Sequence, residues 1–188
     1  MKPNPREVNR APRRTGRLPH KTAAARHPAR PPIRIRALAA ADISACVALV
    51  TAVFHDASID RRIQALCGGP SWKRVKGAAV RQVAVADVEN NRNGCFVAVR
   101  DNRIVGYIST TINLAAARGC ICDLAVAAEC QGLGIGARLI RHVLRRFRKL
   151  GLQQAKIETL DNNLAGQHLY PKLGFVEVAR QIHYVQPL

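Results

Sequence analysis

Residues 120–149, CICDLAVAAECQGLGIGARLIRHVLRRFRK, restrict what this chain folds into more than any other stretch. Residues 120–126 are apolar except for Asp123, the pattern of a short strand covered on both faces. Gly132, Gly134 and Gly136 then fall at every second position of a turn that begins at Gln131. Glycine permits positive φ and lets the backbone come close to a ligand. From Leu133 the periodicity becomes helical. Leu133, Ala137, Ile140, Leu144 and Phe147 share one side, and Arg138, Arg141, Arg145, Arg148 and Lys149 the other. A glycine turn leading from a strand into a helix gathers unpaired backbone N–H groups at the positive end of the helix dipole. Such a place binds an anion.

The rest of the chain narrows the setting. Of its 188 residues 48% are hydrophobic, enough for one core, and no apolar run is long enough to span a membrane. The formal charge is +18. Residues 1–32 hold nine Lys/Arg and one acid, a net +8, so residues 33–188 carry +10. That surplus favours anionic partners and disfavours polycationic ones. Residues 1–32 are also rich in proline, lack an apolar signal core, and read as a disordered basic tail. Nucleic acid is expected only through that tail. The six cysteines form no CxxC pair, and His142, His168 and His183 match no ligand spacing. Neither a disulfide framework nor a metal site is expected, and the default compartment is a reducing, cytoplasmic one.

Residues 33–36 alternate as a first strand, and residues 39–54, 58–66 and 71–89 read as helices, with Asp42 able to cap the first. Two β-rich runs, 95–100 and 103–110, are joined by Asp101-Asn102, a two-residue hairpin signal. After the central helix, Gly151 suits a helix C-terminus. Residues 156–160 read as a strand, 161–170 as a helix, and 175–179 and 183–186 as closing strands. A strand–helix–strand crossover around the central helix makes its flanking strands parallel, while the hairpin is antiparallel. The outcome is a mixed sheet in an α/β or α+β domain spanning residues 33–188.

Two phosphate-binding fingerprints fail. Leu139 stands where G-x-G-x-x-G needs its third glycine, and no Gly-Lys-Ser/Thr exists. By contrast, Val126-x-x-x-x-Gln131-x-x-Gly134-x-Gly136 resembles the acyl-CoA-binding motif of the GNAT N-acetyltransferase superfamily, Q/R-x-x-G-x-G/A. Asn163-x-x-Gly166-x-x-Leu169-Tyr170-x-x-x-Gly174-Phe175 resembles its second signature. The resemblance covers residues 33–188 and implies a mixed, mostly antiparallel sheet with helices on both faces. It implies acetyl-CoA as co-substrate, with no metal, and an enzyme that moves an acetyl group to a primary amine by direct attack.

The same resemblance places the site. Backbone N–H groups of Gln131, Gly132, Leu133, Gly134, Ile135, Gly136 and Ala137 would hold the CoA pyrophosphate. Leu124 and Val126 would pair with the pantetheine arm as with an added strand. Asn163 would contact the cofactor, and Tyr170 would protonate the leaving thiolate. Pro171 directly after Tyr170 favours a helix end or kink there. Asp123, the lone carboxylate in the apolar strand, is the candidate base for the acceptor amine, with Glu158 second; His168 reads as a surface residue. The acceptor, a small molecule or a peptide, has no signature. A monomer or homodimer is expected. The other reading is a catalytically silent acyl-CoA sensor or a nucleic-acid-associated module using the basic tail.

Overall fold

The computed structural model describes residues 32–188 except Asn91 and Asn93. The basic tail therefore lies outside the described residues. The first strand, β1 (Arg34–Ala37), leads through a short 3-10 turn into α1 (Ile43–Val53). Asp42 at that junction does not cap α1 as expected. Its carboxylate reaches back to the Ala39 N–H at 2.8 Å and takes both Arg36 guanidinium nitrogens, so it ties β1 to the turn. Its bond to Arg36 holds the Asp42 carboxyl below the ordinary carboxylate range. Two more helices follow, α2 (Ile59–Cys67) and α3 (Trp72–Glu89), with the Ser58 hydroxyl accepting from the Arg61 N–H at the start of α2.

The hairpin is β2 (Phe96–Arg100) and β3 (Arg103–Asn113). Asp101 and Asn102 both have positive φ, 51° and 57°, the backbone of the mirror-image turn whose twist matches paired strands. β4 (Arg118–Val126) runs antiparallel to β3, α4 (Ile135–Lys149) crosses over, and β5 (Gln154–Ile157) lies parallel to β4. The sheet order is β1-β2-β3-β4-β5. The last helix is α5 (Leu164–Lys172).

Burial of both sheet faces explains the near-continuous apolar strands. On one face Val97, Tyr107 and Ala125 pack under α1 and α3 through Cys46, Val50, Val80 and Ala84. On the other face Ala98, Ile108 and Ile121 pack under α4 through Ile135, Leu139, Ile140, Val143 and Phe147. Close approach needs glycine at Gly119, where an added Cβ would land in the Phe147 ring. Gly119→Ala should therefore cost about 1–3 kcal/mol by overpacking. Chemical denaturation measures it, and Phe147→Leu in the same chain should recover part of the loss.

Three expectations are corrected. Residues 175–179 and 183–186 are not strands, although one edge of β5 is open. Val176, Val178, Ile182 and Tyr184 there are exposed, and β propensity without a cross-strand partner does not make a strand. β5 covers residues 154–157 rather than 156–160, so residues 158–160 leave the sheet. Pro171 does not end the helix at Tyr170. α5 runs on to Lys172 and closes on Gly174 (φ 88°), whose N–H bonds the Pro171 carbonyl while the Phe175 N–H bonds the Tyr170 carbonyl.

Candidate functional site

The site lies where β4 parts from β5. Their parallel pairing runs from Arg118↔Gln154 to Ile121↔Ile157 and stops. Residues 122–126 continue along β3 alone, Asp123 opposite Ser109 and Val126 opposite Gly106. A strand with one side paired and the other open presents main-chain donors and acceptors to whatever enters the gap. Leu124 and Val126 are half-buried along this free length.

The glycine turn borders the gap. Gly132 and Gly134 have φ of 75° and 73°, a region that costs an L-residue with a Cβ about 1–2 kcal/mol. Gly134 precedes α4, and the first helical N–H to find a partner within the helix end is that of Arg138, on the Gly134 carbonyl at 3.0 Å. The N–H groups of Ile135, Gly136 and Ala137 thus belong to the unpaired first turn, at the positive end of the dipole. The Gln131 amide latches the turn to the strand by donating to the Val126 carbonyl at 3.1 Å. Gly136 has another task. A Cβ there would meet Leu169 of α5 at 3.4 Å and Leu124 and Val126 of β4 at 3.8 Å. Turn, strand and last helix therefore converge on one crevice.

Tyr170 reaches this region through the end of α5. Phe175 folds back so that its ring meets the Tyr170 ring edge-on, centroids 6.2 Å apart, which is the apolar contact that accompanies this type of helix end. Burial pushes the Tyr170 phenol above its ordinary value, and the neighbouring Thr159 side chain offsets part of that. The phenol is therefore a proton donor across the neutral range. Thr159 in turn receives the Asn163 amide at 2.8 Å, and the Asn163 carbonyl oxygen caps α5 by accepting from the Gly166 N–H at 3.2 Å. The Asn163 side chain thus orients the helix start and Thr159.

Asp123 is buried on the opposite sheet face. The Lys76 ammonium of α3 lies 2.6 Å from one carboxylate oxygen, and the Ser109 hydroxyl donates to the other at 3.0 Å. Lys76 also sits 4.7 Å over the Phe54 ring. Strict alternation would place Asp123 on the same face as Ile121. A β-bulge at Cys122 inserts one residue between Ser109↔Asp123 and Thr110↔Ile121, which turns Asp123 towards α3 while Ile121, Leu124 and Val126 face α4 and α5. Nothing in the spacing around Lys76 marks it, because it sits among ordinary helical positions. Glu158 is exposed and paired with Lys156, and His168 is exposed against Lys172. Burial pushes the Cys46 and Cys95 thiols up to about 12, so neither is a ready nucleophile.

A glycine turn, a half-free strand and a helix end thus meet at one place. The model of the Acetyltransferase (GNAT) family matches residues 61–175. The chain is 28% identical over 92 residues to N-alpha-acetyltransferase MAK3 of Arabidopsis thaliana, covering 48% of each. It is 30% identical over 118 residues to mycothiol acetyltransferase of Stackebrandtia nassauensis, covering 60% of this chain and 39% of that protein. The chain thus spans about half or less of the length of these two curated relatives. In structure it is similar to the PaiA N-acetyltransferase of Thermoplasma acidophilum in complex with coenzyme A, with a TM-score of 0.61 and 18% identity over 76% of this chain and 88% of that one. No described helix is long and apolar enough to cross a membrane. By the match over most of its length, the chain belongs to the GNAT acetyltransferase family.

Proposed function

We propose that this protein transfers the acetyl group of acetyl-CoA to a primary amine by direct attack on the thioester. The observation that carries the reading is the parting of β4 from β5 beside the glycine turn. The residues present fit an acyl-CoA. The first-turn N–H groups of α4 suit a pyrophosphate, and the open edge at Leu124 and Val126 suits an amide-bearing arm laid along it. Gly136 keeps the crevice clear of side chain. Acetyl-CoA supplies the activated acyl group. A main-chain N–H on the free edge of β4 would donate to the thioester oxygen as negative charge develops there.

Tyr170 is the proposed acid for the leaving thiolate, packed against Phe175. Asp123, with Lys76 and Ser109 on its two oxygens, is the proposed acceptor of the proton that the amine sheds, directly or through water. Peptide α-amines are the first acceptors to try, given the N-alpha-acetyltransferase among the relatives. Polycationic acceptors are disfavoured at long range by the +18 charge.

The reading is tested by acetyl-CoA-dependent release of free thiol across a panel of amines, amino acids, polyamines and peptide N-termini. Acceptor-dependent release is expected. If acetyl-CoA binds and no acceptor in the panel is acetylated, the protein is an acyl-CoA sensor instead. A second expectation concerns the turn. Gly134→Ala leaves open space around the new Cβ, so the strain of its positive φ is what remains. At about 1–2 kcal/mol, relieving that strain by moving the turn should raise the KM for acetyl-CoA roughly tenfold with little change in folding.

A further inference from the structure

The outer face of α4 carries charge that the proposed reaction does not use. Helix Ile135–Lys149 holds six cations, Arg138, Arg141, Arg145, Arg146, Arg148 and Lys149, and no acid. All but Arg146 are exposed. Among the described residues none of the six is in an ion pair; Arg138 and Arg146 bond only the main-chain carbonyls of Ile33 and Arg92. Arg138–Arg141, Arg141–Arg145, Arg145–Arg148 and Arg145–Lys149 lie three or four residues apart, so the charges of each pair repel. A bound polyanion removes that repulsion.

The stripe is also shaped. Two open hollows flank its crest, one of about 230 Å³ against Ile35 of β1, walled by Arg138, Arg141, His142 and Arg145. The other, of about 380 Å³, lies against the end of α5 and is walled by Arg141, Arg145, Arg148 and Lys172. Arg138 to Arg148 spans about 15 Å of helix, the length of about four phosphates along one strand of a duplex. A protein partner needs an apolar or aromatic centre to anchor on; here five of the ten lining residues are cations, and the apolar ones, Ile35 in one hollow and Leu144 and Leu173 in the other, are divided between the two and include no Phe, Tyr or Trp. Single strands are held by stacking on aromatic faces; the one aromatic ring in the walls, His142, is already packed against Phe96 with centroids 4.5 Å apart. Guanidinium groups match phosphate oxygens in pairs and read no sequence in doing so.

We infer that the arginine face of α4 is a docking surface for the phosphate backbone of a nucleic-acid duplex, distinct from the unpaired first-turn N–H groups of α4 proposed for the acyl-CoA pyrophosphate. Fluorescence anisotropy of the full chain with a fluorescein-labelled DNA duplex of about 20 base pairs, with salt raised from about 50 to 200 mM, tests it. Wild type should bind with a steep salt slope. Neutralising Arg141→Gln, Arg145→Gln and Arg148→Gln together should flatten that slope by about 2–3 and weaken binding tenfold or more at the lower salt. These side chains are exposed, so folding should persist, and circular dichroism checks it. A second variant with Arg6, Arg10, Arg13, Arg14 and Arg17 all changed to Gln should keep the larger part of the slope. The inference is overturned by no binding, by a slope unchanged in the helix variant, or by loss confined to the tail variant. It is equally overturned if saturating acetyl-CoA abolishes duplex binding, which would assign the stripe to the co-substrate. Stronger competition by polyglutamate than by unlabelled duplex would assign it to an acidic protein.

Discussion

Tyr170→Phe should lower kcat by about 10²–10⁴-fold, the range for removing a positioned general acid. The KM for acetyl-CoA should change little, because the main-chain groups of the glycine turn and β4 are untouched. The phenylalanine ring keeps the packing against Phe175, so stability should change little. Single-turnover thiol release and an acetyl-CoA binding isotherm on the same preparation separate the two effects. A mutant with wild-type kcat would remove Tyr170 from the chemistry and leave it as a packing residue at the end of α5. Because burial keeps the phenol protonated, wild-type activity should not fall through the neutral range for want of this proton.

Asp123→Ala should destabilise the fold by about 3–5 kcal/mol, since it leaves the Lys76 ammonium without its partner in a largely apolar setting. Equilibrium unfolding in urea measures this. Asp123→Ala combined with Lys76→Met should recover most of the loss, because replacing both members of a buried pair with apolar groups is close to neutral. The double variant then decides what Asp123 does. If it is folded and binds acetyl-CoA but transfers nothing, the carboxylate takes the amine proton. If it is folded and active, the pair serves to join α3 to β4. An acceptor that arrives as an ammonium would compete with Lys76 for Asp123, so for the wild type the Michaelis constant of such an acceptor should rise with salt.

The glycine turn, the amphipathic α4 and the hairpin were legible because each rests on local chemistry. Positive φ at Gly132, Gly134 and the Asp101-Asn102 pair follows from which residues tolerate it. The apolar period of α4 marks its buried face whatever lies beneath. Gly151 and Gly174 both close helices in the left-handed region for the same local reason. Where sequence reasoning failed, the cause was non-local. Residues 175–186 have strand composition, yet a strand exists only when another backbone pairs with it. Pro171 favours a helix end or kink, but its missing N–H matters little near the end of a short helix that closes at Gly174.

The chain's sequence by itself determined the strand–turn–helix unit from Cys120 to Lys149, the unpaired first turn of α4 after the glycines and the motif that marks the family, because spacing and residue type act within one or two turns of the backbone. Tertiary structure alone decided the use of that unit. The parting of β4 from β5 depends on where two distant segments stop pairing, and the bulge at Cys122 depends on the register with β3. That single inserted residue sends Asp123 to Lys76 and Leu124 to the crevice, because one extra residue in a strand reverses the face of every side chain beyond it.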